Sequence, residues 1–158
     1  MQRLGLVLAG FLSASCVAPA QAAHRWYVYG NPYQQYQGCY AADLFQAQVH
    51  DPAQDQLFGG WDGSQLSMSG RYNDQALTLG QQMLLTEQAV LGERAPAFHI
   101  LRGSYFEFSG VALGQVVFVK TILAGNAFKT FYVRYPVQDR PQFAPVVGHM
   151  ASCFVSTD

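Results

Sequence analysis

The chain has 158 residues, half of them apolar and 12% charged, with nine basic against ten acidic side chains. That composition supplies a core for one domain and excludes intrinsic disorder. The near-neutral balance leaves no electrostatic footprint for nucleic acid and no basic run for an anionic lipid surface.

Residues 1–22 have the build of a bacterial secretory signal peptide. Arg3 makes the short positive region, Leu4 to Leu12 the apolar region, and Ala20-Gln21-Ala22 a small-x-small cleavage site. The apolar run is too short to stay in a bilayer as a span, and nothing after it qualifies as a transmembrane segment. An alternative route is lipoprotein processing at Cys16, although Ser13 stands where a lipobox wants an apolar residue. The expectation is one domain over residues 23–158 in the periplasm or medium, with anchoring through Cys16 as the alternative. Removal of Arg3 leaves a balance near −2.

Trp26 to Tyr29 begins a strand that Gly30-Asn31-Pro32 interrupts, and Tyr33 to Tyr40 supplies a second. Ala41 to Phe45 leaves that strand, and His50 to Gly60 reads as a polar loop with Asp51-Pro52 as its turn. Trp61-Asp62-Gly63-Ser64 then turns the chain into a strand over Gln65 to Tyr72. Leu77 to Leu91 is the first long helix, with Leu77, Met83, Leu84, Ala89 and Leu91 among its apolar positions and Gly92 as its stop. Phe98 to Leu101 is a short strand.

The last third is the most regular. Ser104 to Ser109 alternates, with Phe106 and Phe108 on one face. Gly110 to Gly114 is read as a connection. Gln115 to Leu123 is β-branched and aromatic throughout, as in a central strand covered on both faces. Gly125-Asn126 supplies a hairpin turn, and Ala127 to Tyr135 alternates until Pro136 ends it. Phe143, Val146, Val147, Met150 and Phe154 then form one apolar stripe at helical period, with Pro145 placed at the first helical position and Ala144 as the N-cap. Meander and helix together give an α+β class: a single domain with a central antiparallel β-sheet and helices packed on its faces.

Two cysteines remain beyond the leader, Cys39 and Cys153. In an oxidising compartment they are read as one disulfide, whose long closed loop is worth up to about 4–5 kcal/mol in the chain-entropy picture. Two buried free thiols are the rival reading. The geometry is demanding, because turning Cys39 toward the helix puts Gln35 and Gln37 on that same side unless Gly38 bulges the strand.

No catalytic or cofactor motif stands out. His24, His50, His99 and His149 lack metal-pair spacing, and His50-Asp51 with Asp55 is as well explained by a solvated loop. Gly63-Ser64 and Gly103-Ser104 are turn residues, not a nucleophile elbow. Glu87, Glu93 and Glu107 lie on different elements, with no pairing signalled. No catalytic, cofactor-binding or metal residue is therefore assigned, and no cofactor is expected.

Several segments carry a family resemblance: Asp43-Leu44-Phe45, Trp61 through Asn73, Phe128 through Pro136, Phe143-Ala144-Pro145-Val146-Val147 and Ser152-Cys153-Phe154, in that order. The chain resembles exported bacterial proteins of unknown function with a PsbP-like (Mog-type) α/β sandwich fold. Tyr40-Ala41 departs from that pattern's Tyr-Pro, and Ala144 from its capping Asp before the proline. The resemblance implies the same sheet-and-helix sandwich and offers no active-site residue to carry over.

Two functions follow as expectations. The first is a non-catalytic binding or interaction module for an envelope or extracellular protein or a small ligand, with Trp26, Tyr27, Tyr29, Tyr33 and Tyr36 as the candidate partner surface. Ordinary strand packing explains the same aromatics. The second is a small periplasmic hydrolase using His99 or His50 with a nearby carboxylate.

Overall fold

A computed structural model of the chain describes residues 23–48, 55–60 and 62–158. Residues 1–22, expected to be a signal peptide, the His50-Asp51 pair and Trp61 lie outside the described residues. In chain order the strands and helices are β1 Trp26–Asn31, β2 Tyr36–Ala41, β3 Gln46–Ala47, β4 Gln56–Gly59, β5 Gln65–Tyr72, α1 Leu79–Leu91, β6 Phe98–Leu101, β7 Tyr105–Ala112, β8 Gln115–Ala124, β9 Ala127–Pro136, α2 Arg140–Cys153 and β10 Val155–Ser156.

The strands form two antiparallel sheets, ordered β1-β2-β10 and β3-β4-β5-β9-β8-β7-β6. The β7-β8-β9 meander is the spine of the larger one, and its two faces bury different cores. One face offers Phe106, Phe108, Val117, Val119 and Phe128 to Leu79, Met83 and Leu91 of α1. The other offers Leu66, Met68, Phe131, Val133 and Tyr135 to Phe143, Val146, Val147 and Met150 of α2, together with Tyr36 of the small sheet. The fold is thus α+β, a single domain with a central antiparallel sheet and helices on its faces.

α1 starts where Thr78 accepts from the Gln81 amide while Gln81 Oε1 accepts from the Thr78 amide, a reciprocal capping box, and Gly92 ends it at φ 66°. The helix begins two residues later than Leu77. Leu84 points to solvent, so the buried stripe is Leu79, Met83 and Leu91.

Several expectations are corrected. Gly110 to Gly114 is not a connection: β7 runs to Ala112, and Leu113-Gly114 alone turn the chain, both at positive φ (52° and 76°). Residues 56–59 are strand rather than loop, with Gln56 and Phe58 buried. The second strand starts at Tyr36, because residues 32–35 form a turn in which Asn31 Oδ1 accepts from the Tyr33 and Gln34 amides.

The closing helix also begins earlier than Pro145. A 3-10 turn, Val137–Asp139, leads into Arg140, Pro141 occupies the first turn, and Pro145 lies inside the helix. Pro145 removes the amide that would bond the Pro141 carbonyl, and both prolines are exposed. Ala144 is therefore not an N-cap.

Candidate functional site

Among the described residues β1 is an edge strand of the small sheet, and it is held there by its own sequence. Asp43 clamps the residues that lead into it: Oδ2 lies 2.7 Å from His24 Nδ1, and Oδ1 accepts from the Arg25 amide at 3.0 Å. Partial burial pushes the Asp43 carboxyl up, but the His24 hydrogen bond and the amide contacts outweigh it and hold the group below its usual range. The Ala42 amide returns to the Arg25 carbonyl at 2.8 Å. From there β1 pairs continuously with β2, from Trp26 opposite Ala41 to Asn31 opposite Tyr36, with no bulge.

The pairing divides the five predicted aromatics. Tyr27 and Tyr29 face the large sheet, where a chain of rings runs from Tyr27 through Tyr40 to Phe58, with centroids 6.0 and 4.6 Å apart. Tyr29 is half-buried, and Tyr36, 1% exposed, donates its hydroxyl to the Met68 carbonyl at 2.8 Å. Tyr36 is a core residue and forms no part of a surface. Trp26 (38% exposed), Tyr27 (53%) and Tyr33 remain open to solvent, joined by Val28 (70%), which is not among the five expected aromatics.

On the opposite face of β1, the Trp26 ring lies against the His149 ring of α2, centroids 4.1 Å apart and tilted by 51°. Beside them is a cleft of about 700 Å³, walled by Trp26, His149, Pro141, Pro145 and Val146. Its apolar walls come from the two helix prolines and the strand-edge tryptophan.

Below the cleft, Cys39 and Cys153 form a disulfide with Cα atoms 5.5 Å apart. Gly38 does not bulge, and the anticipated glutamine conflict dissolves otherwise. Gln35 lies in the turn before β2, while Gln37, on the Cys39 side, stands exposed opposite Val155 of β10. Gly38 serves the contact between sheets instead.

The remaining candidates are dispersed. His99 Nδ1 lies 3.0 Å from Glu87 Oε1, joining β6 to α1, and among the described residues neither group hydrogen-bonds a serine or cysteine. Glu107 is 3.8 Å from Lys120 Nζ, a pair on β7 and β8. Asp55 pairs with Arg71 at 3.1 Å. A second cleft, about 520 Å³, lies beside α1 and is lined by hydroxyl and amide groups such as Ser69, Thr130, Gln82 and Thr86. Among the described residues no helix is long and apolar enough to cross a membrane.

No family model matches the chain, and no curated protein matches it by sequence. Among solved structures it is similar to the solution structure of cyanobacterial PsbP (CyanoP) from Synechocystis sp. PCC 6803, with 15% identity and a TM-score of 0.62. The alignment covers 91% of this chain and 98% of that one, so the likeness spans the whole sandwich and shows a PsbP-like fold.

Proposed function

We propose that this protein is an exported, non-catalytic binding module that accepts an extended, apolar segment of an envelope or extracellular protein along the free edge of β1. One observation carries the reading: an edge strand with Trp26, Tyr27 and Val28 exposed, no charged residue between Trp26 and Asn31, and an apolar cleft at its Trp26 end. Natural edge strands are guarded by lysine, proline or a bulge, and β1 has none of these along its paired length. A strand added there bonds through its main chain, and its alternate side chains meet Tyr27 on one face and the Trp26 cleft on the other.

Export rests on the leader-like residues 1–22, and a disulfide belongs to an oxidising compartment. Cleavage after Ala22 brings the new terminus close to the cleft, which Ala23 and His24 also line. Among the described residues the hydrolase reading has one supporting contact, His99 with Glu87, without a hydroxyl or thiol hydrogen-bonded to either. The fold likeness adds no catalytic group.

A photoreactive residue placed at position 28 tests the reading in cells that export the protein. Position 113, 90% exposed at a hairpin tip, is the control. A discrete protein adduct at 28, absent at 113 and lost on Trp26→Ala, is expected. Equal labelling at both positions, or none at 28, overturns it.

A further inference from the structure

We propose that reduction of the Cys39–Cys153 disulfide converts this corner of the protein into a zinc site whose ligands are Cys39, Cys153 and His149. The two sulfur atoms and a ring nitrogen of His149 lie within 4.8 Å of one another. His149 and Cys153 are four residues apart on α2, so they share one helix face. Cys39 meets them from β2, the central strand of the small sheet.

None of the three positions depends on the disulfide alone for its place. α2 is anchored on either side of His149 and Cys153 by Val146, Val147, Met150 and Phe154, all buried. Cys39 is buried in a strand paired along its length with β1 and, at Tyr36 and Gln37, with β10. Opening the bond therefore frees two thiols on elements that stay where they are. Ligands held in position by packed elements are what a metal site needs.

The donor set selects the ion. Two thiolates and one imidazole suit zinc and disfavour magnesium and calcium, which take oxygen ligands. Three protein ligands leave one position of a tetrahedral ion to solvent or an incoming group. His149 is exposed and borders the cleft next to Trp26, which gives that position access.

The chemistry balances in two steps. A dithiol reductant gives two electrons and two protons to the Cys39–Cys153 bond and leaves as its own cyclic disulfide. Zinc then displaces a proton from each of the two thiols and takes the lone pair of a His149 ring nitrogen. A disulfide oxidant that takes two electrons from the two thiolates, and is itself reduced to a dithiol, re-forms the Cys39–Cys153 bond and expels the ion, so metal occupancy follows the redox state of the pair.

The test is metal titration of the whole domain in its reduced and disulfide forms, without oxygen and with the reductant removed. Zn²⁺ is followed by competition with a chromophoric chelator, and Co²⁺ by its thiolate charge-transfer absorption. The reduced protein is expected to take up one equivalent with that absorption, and the disulfide form none. His149→Ala is expected to weaken zinc binding at least about tenfold while the disulfide form still unfolds cooperatively. Equal zinc uptake by both forms overturns the proposal, as does undiminished uptake by Cys39→Ser/Cys153→Ser. Should the reduced chain lose its near-ultraviolet circular dichroism, zinc must restore it; failure to do so also overturns the proposal.

Discussion

Asp158 Oδ1 lies 2.6 Å from Lys129 Nζ, and this contact ties the end of the chain to the middle of β9. Lys129 is 1% exposed, and it also donates to Ser156 Oγ. The Lys129 hydrogen bond, with help from Ser156, holds the Asp158 carboxyl below its usual range.

Removing one partner of such a pair leaves an uncompensated buried charge, whereas removing the lysine charge leaves only an exposed carboxylate. Asp158→Asn should therefore lower the melting temperature more than Lys129→Met does. The sign with pH follows from the depressed carboxyl: its contribution is complete above the ordinary value of 3.8 and disappears as pH falls through the folded value. Thermal melts from pH 2 to 6 check this, and an acid limb identical in Asp158→Asn would refute it.

Tyr36 governs the alkaline side. Its hydroxyl is pushed well above its ordinary value, chiefly by burial and then by the nearby Tyr29. A raised folded pKa gives stability that is complete below the unfolded value of 10.0 and is lost as pH rises beyond it. Denaturant melts of Tyr36→Phe should be less stable than the parent at pH 8, by about 1 kcal/mol for the lost bond to Met68. The gap should narrow or reverse above pH 10.

Leu113 occupies a left-handed position, φ 52°, at a hairpin tip where it is 90% exposed. A branched side chain there costs about 1–2 kcal/mol relative to its ordinary conformation, and asparagine tolerates the region far better. Leu113→Asn should gain about 0.5–1 kcal/mol in denaturant unfolding, since no packing is lost. A loss of stability would contradict the assigned turn.

Met150 is wholly buried under α2. Met150→Ala should cost about 2–5 kcal/mol, and a change under about half a kilocalorie would mean that the helix does not seal that face.

On the proposed export reading, the protein recovered from the periplasm or medium should have an intact mass beginning at Ala23. A diacylated or triacylated Cys16 terminus in the exported protein would instead establish anchoring.

The fold was legible where pattern and local chemistry agreed. Phe98–Leu101 and the alternation of Gln65–Tyr72 appear at those bounds, and Gly125-Asn126 forms the turn its residues favour. At the other hairpin the connection was legible but drawn too long, because Leu113 is not a turn-forming residue. Gln56, buried in β4, made a strand look polar. Pro145 drew the start of α2 too late, since the sequence alone does not say which proline begins a helix that contains two. At the candidate site, the aromatic cluster around Trp26 was visible, but its division into edge and core depends on pairing register. The four-residue spacing of His149 and Cys153 was available in the sequence; their approach to Cys39 depends on the tertiary fold.

The Cys39–Cys153 bond spans a sequence separation of 114 residues and encloses the whole seven-stranded sheet and α1. A single proteolytic cut at any position between the two cysteines leaves both fragments in one covalent molecule. The fragments also remain interleaved through a shared core, so a nicked molecule can keep its β1 edge and cleft intact. In surroundings rich in proteases, damage to a loop would go unnoticed on a non-reducing gel and emerge only when the bond is opened.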